Sequence, residues 1–95
     1  MMGEVEFIEL AEGIIEDLRP ALDARWTDLI DGEMGGGEYL VALDDALQAA
    51  ALADHRVDAD LTARVEQVLD DLDPDSDDWD RINRWLSRIR PIAAP

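Results

Sequence analysis

LIDGEMGGGEYLVALDDALQAAAL, residues 29–52, is the stretch whose reading decides the fold. A helix is expected to end at Ile30 or Asp31, a turn built from Gly32, Gly35, Gly36 and Gly37 to reverse the chain, and a second helix to start near Glu38. Glycine takes backbone angles that a Cβ resists, so the chain breaks here without strain. Beyond the turn, Leu40, Leu43, Leu47 and Ala50 recur at spacings of three and four, with Tyr39 and Ala46 widening the stripe. This is the period of an amphipathic helix. A face that wide either closes a core or pairs two chains, so a homodimer stays among the expected assemblies.

Working outward toward the N-terminus, Phe7, Ile8, Ala11, Ile14, Ile15 and Leu18 form one face of a helix expected from Glu4 to Arg19. Pro20 lacks an N–H and clashes with the carbonyl four residues earlier, so a kink or a break belongs there. The apolar spacing nevertheless continues through Leu22, Trp26, Leu29 and Ile30, giving one kinked helix or two nearly continuous ones. Toward the C-terminus, the helix from Glu38 reaches about Ala53, and Asp54, His55 and Arg56 form a polar connection. Asp58 is a start signal, because its carboxylate accepts from the exposed N–H groups of a first turn. Leu61, Val65, Val68, Leu69 and Leu72 then make a buried stripe, with Arg64, Glu66 and Asp70 outside it.

The last helix follows DDLDPDSDDWD, in which seven of the eleven residues from Asp70 to Asp80 are acids. Asp73 or Ser76 caps it, and Trp79, Ile82, Trp85, Leu86 and Ile89 face the core. Acids at its start and Arg81, Arg84, Arg88 and Arg90 later on complement the helix dipole. Pro91 stops it. No segment alternates with period two, so the expected fold is all-α: one domain, residues 1–95, of four to five antiparallel helices in a compact bundle, with residues 1–3 and 92–95 frayed.

Ninety-five residues without a cysteine must stand on packing alone. No apolar run approaches the ~18 residues of a membrane span, and MMGEVEFIEL carries acids where a secretory signal carries positive charge, which predicts a cytoplasmic protein. Eight arginines, no lysine and 24 acids give a net charge of −16. Such a charge opposes contact with nucleic acid or an anionic membrane and favours a cationic partner.

Features that could carry chemistry are sparse. Read as a calcium loop from Asp73, the acid run has Asp78 where the loop needs glycine and Arg84 where it needs glutamate. His55 is the single histidine and lacks a companion cysteine or serine triad; Ser76 and Ser87 stand far from it in sequence. Gly35 to Gly37 precede Glu38, whose charge repels an anion at that helix start. No catalytic residue, cofactor or metal site is therefore expected. Trp26 and Trp79 are read as core, whereas Trp85, beside Arg81, Arg84 and Arg88, is placed at the edge of the buried stripe, where it could anchor a partner.

The run from Leu29 also carries a resemblance: Ile30 and Asp31, then Gly37 and Glu38, then Ala42, Leu43 and Asp44, Leu47, and Trp79 in DDWDRINRWL. In order and spacing, over roughly residues 22 to 90, this resembles the small helical immunity proteins of bacterial polymorphic-toxin systems, the MafI-like group. It departs from that pattern in the residues between Asp31 and Gly37, where Gly32 and Glu33 offer a second register for the same pair. The resemblance implies a non-catalytic protein that binds and neutralises a cognate toxin. Composition is compatible with that, since an acidic surface suits a toxin domain with a cationic cleft. Candidate contact residues are the acids at helix ends, Glu33, Glu38, Asp44 and Asp45 around the glycine turn, with Asp70, Asp71, Asp73, Asp75, Asp77 and Asp78 in the acid run, and Trp85. The alternative is an acidic nucleic-acid-mimicking inhibitor or an antitoxin-like regulatory binding protein.

Overall fold

The chain leaves the second helix later than its glycines suggest. In a computed structural model describing residues 2–91, that helix, α2 (Ala24–Gly35), continues through Gly32 and Glu33. It is closed by a pair of bonds in which Glu38 N–H donates to Glu33 O at 2.9 Å and Gly37 N–H to Met34 O at 3.0 Å. Gly37 has φ +80. The pair is a Schellman closure, which needs one residue in the left-handed region. A glycine inside a helix costs only about 1 kcal/mol relative to alanine, too little to end it, so the end falls where positive φ is required.

The other elements follow from local chemistry. Helix α1 (Glu4–Leu18) gives way to a 3-10 turn, Arg19–Ala21, and extended Leu22, so Pro20 breaks the helix outright. Asp23 then caps α2 by accepting from Trp26 N–H at 3.0 Å. After the glycine turn comes α3 (Tyr39–Leu52), which ends in a second Schellman closure: His55 N–H to Ala50 O at 2.9 Å and Asp54 N–H to Ala51 O at 3.1 Å. Here Asp54, not a glycine, holds φ 52. Asp58 caps α4 (Ala59–Asp71) through Leu61 N–H at 2.8 Å, and Ser76 caps α5 (Asp77–Ile89) through Trp79 N–H at 3.2 Å. All described regular structure is helical.

Helix α3 is the centre: α1, α2 and α5 all pack on it, while α4 closes over α1 and α5. Ala42, Leu43, Ala46, Leu47, Ala49, Ala50 and Ala51 are buried, a belt wider than the predicted stripe because neighbours cover the helix on several sides. Most of that apolar face is covered within one chain, while Val41 and Leu52 on the same helix stay exposed. Small side chains let backbones approach closely, and the larger contacts come from Ile14, Ile15, Leu18, Ile30, Val65, Val68, Ile82, Leu86 and Ile89. The connection before α4 is fastened to the end of α5, since Val57 N–H donates to Ile89 O at 2.9 Å and Arg56 Nη1 to Arg90 O at 3.0 Å. Arg64, expected on an outer face, lies over Gly13 of α1 and pairs with Asp17 and Asp60.

Trp26 and Trp79 pack against the core, as expected, and are half-buried. Two expectations need correction. Leu29, on the predicted stripe, is 49% exposed because α2 packs chiefly on α3 and nothing covers its flank. Met2, expected to fray, donates its N–H to Asp71 Oδ1 at 2.8 Å; residues 92–95 and Met1 lie outside the described residues.

Candidate functional site

The candidate acids fall into two groups that the fold treats differently. Asp70, at the end of α4, and Asp73, Asp75, Asp77 and Asp78, between α4 and the first turn of α5, are exposed. None of these five takes part in an ion pair among the described residues. Asp73 has a local task as well: its Oδ1 accepts from Asp75 N–H at 2.9 Å and its carbonyl from Ser76 Oγ at 2.7 Å, which shapes the turn into the cap. These bonds set up a helix start. Among the described residues no group of three or more His, Cys, Asp or Glu side chains is placed to hold a metal ion. Asp71 is the exception in this run, half-buried against Met2.

Around the glycine turn, exposure was misjudged. Glu38 is exposed, but Glu33, Asp44 and Asp45 are not. The Asp44 side chain is 13% exposed: Oδ1 accepts from Trp85 Nε1 at 2.7 Å and Oδ2 from Arg81 Nε at 2.7 Å. It clasps α3 to α5, and its partner Arg81 is held above the usual arginine range by that hydrogen bond. Trp85, expected as a partner anchor, has its indole N–H committed to this clasp. Arg81 and Trp85 stand four apart on one face of α5, a spacing visible in the sequence; that Asp44 meets both was not. Asp78 also acts on Arg81, so the two groups of acids adjoin there.

Glu33 is the most perturbed group. Burial, and then the neighbouring carboxyl of Asp45, push its pKa from 4.5 up to about 7, with Glu38 and Asp44 adding repulsion. Its Oε1 is sealed from solvent with no hydrogen-bond partner.

The sequence reading also missed two adjoining grooves around Trp26. Trp26 floors a shallow groove of about 430 Å³ with Asp23, Arg25 and Leu29, and an adjoining one of about 340 Å³ with Ala21, Ala49, Leu52 and Ala53. Leu52 is 57% exposed. His55 lines a separate groove with Asp17, Arg56 and Asp58. Ser76 is committed to its cap and Ser87 Oγ donates to Asn83 O at 2.9 Å, so neither meets the imidazole there. Among the described residues no helix is long and apolar enough to cross a membrane. Compared with known proteins, the chain matches no family model, no curated protein and no solved structure.

Proposed function

We propose that this chain is an immunity protein, a non-catalytic domain that neutralises a toxin inside the producing cell by covering a cationic cleft. The observation that carries the reading is the exposed set of Asp70, Asp73, Asp75, Asp77 and Asp78, none of which is in an ion pair among the described residues. Among the described residues seven ion pairs engage five of the eight arginines with other acids, and Arg81, which lies near Asp78, is bonded to Asp44. Uncompensated charge on one surface steers a cationic partner and raises its association rate.

The test is co-expression with the product of the adjacent gene, capture at low and high salt, and association kinetics of the captured domain. Replacing these five aspartates by asparagine should slow association at least about tenfold at low salt and flatten its salt dependence. Unchanged kinetics would remove them from the interface. Displacement of the captured partner by free nucleic acid would favour the mimic over the immunity protein.

A further inference from the structure

The α2–α3 hairpin joins two helices through a glycine pivot, and its inner face holds an unusual pair. Glu33 and Asp45 face one another across it with their carboxyl groups in hydrogen-bonding reach. Among the described residues neither carboxyl is in an ion pair, although Arg81 acts on Asp45 from α5. Asp44 and Glu38 are the other groups acting on Glu33 from α3 and its start, and Arg81, reaching in from α5, is bonded to Asp44. On α2 itself, Asp31 is turned to Arg19 at 3.0 Å. Glu33 also lies in the last turn of α2, where the helix dipole disfavours negative charge. One of its oxygens is sealed and unpaired, so an ionised Glu33 would be a buried charge without a counterion.

We propose that the hairpin is a protonation-gated hinge: with Glu33 protonated α2 lies closed on α3, and loss of that proton loosens α2 while the other helices stay packed.

The local opening is possible because α2 depends chiefly on α3 for packing and buries a single residue, Ile30, completely. The pivot is ready-made at Gly36 and Gly37. A carboxyl whose pKa is about 7 when closed and 4.5 when free favours closure fully below about pH 4.5, and that contribution is lost as pH rises through 7. Its magnitude is set by the gap between the two values, on the order of a hundredfold in the opening equilibrium. The hinge is independent of whether the partner is a toxin.

Backbone amide exchange, corrected for intrinsic rate and followed from pH 5 to pH 8, tests it on the full chain. Amides of α2 should lose protection by at least tenfold over this range while those of α1, α4 and α5 hold theirs. Glu33→Gln should abolish the pH dependence, and Asp45→Asn should move its midpoint to lower pH. A flat profile in the wild type, the same profile in Glu33→Gln, or equal loss of protection in every helix would each overturn the hinge. The carbon-13 shift of the Glu33 carboxyl gives its titration directly, and a midpoint near 4.5 would do the same.

Discussion

Cutting the Asp44 clasp tests how α3 and α5 are held together. Asp44→Ala removes two bonds of 2.7 Å, one from the Trp85 indole and one from Arg81. The first is a hydrogen bond to a charged acceptor with a half-buried donor, worth about 1.5–3 kcal/mol. The second involves an arginine side chain that is 46% exposed, so solvent limits it to about 1 kcal/mol or less. Losing both, with slight relief of repulsion on Glu33, should cost about 2–3 kcal/mol. For a domain of this size each kcal/mol moves Tm by roughly 4–8 °C, so a fall of about 10–20 °C is expected. Urea unfolding followed by far-ultraviolet circular dichroism reads the loss without relying on tryptophan emission. Asp44→Asn retains an acceptor for the indole and should cost only about 1 kcal/mol. Trp85→Phe keeps the ring's packing and removes the donor, and its cycle with Asp44→Ala should show a coupling of about 1.5 kcal/mol. A destabilisation below about 0.5 kcal/mol for Asp44→Ala, or no coupling in the cycle, would refute the assignment of the clasp.

The glycines should separate by backbone angle. Gly32→Ala, inside α2 with nothing within 4 Å of the added Cβ, should stabilise the fold by about 0.5–1 kcal/mol, whereas Gly37→Ala at φ +80 should destabilise by about 1 kcal/mol; thermal melts of the two give opposite signs. Asp54 pays for its φ of 52 at the end of α3, and its pairing with Arg88 at 3.6 Å is between side chains 89% and 46% exposed. Asp54→Gly should therefore raise stability by about 0.5–1 kcal/mol in urea titrations.

Two of the three side-chain-capped helix starts were legible, and that of α2 at Asp23 was not. Asp58 was read as a cap, and Ser76 as one of two candidates with Asp73, because a short acceptor before an apolar repeat satisfies the first free N–H groups, a purely local matter. The end of α2 was not legible, because four glycines permit a reversal and the sequence does not say which one the closed hairpin places at positive φ. The acids divide along the same line. Asp73 and Asp75 in the connection and Asp77 and Asp78 in the first turn of α5 are exposed, as their crowding predicts, since burying that many like charges is prohibitive. Asp44 and Asp45 are neighbours in sequence that look equivalent, and only the approach of α5 shows that one is clasped by Trp85 and Arg81 while the other faces Glu33. Leu29 keeps helical spacing yet remains exposed, because periodicity gives the apolar side of a helix but not how far its neighbours extend over it.

The central position of α3 bears on the speed of folding. The helix lies in the middle of the chain, and its hairpin partner α2 precedes it by only Gly36 to Glu38, so the first docking event closes a very short loop. Loop-closure entropy grows slowly with length, and α1 and α5 each reach the same scaffold from one side of the chain without waiting for the termini to meet. A topology of this kind should fold on the microsecond to millisecond scale, on the order of other helical bundles. Its transition state should then be concentrated in α3, with Leu43 and Leu47 giving higher φ-values than Val65 or Val68 of α4, the helix that packs on α1 and α5.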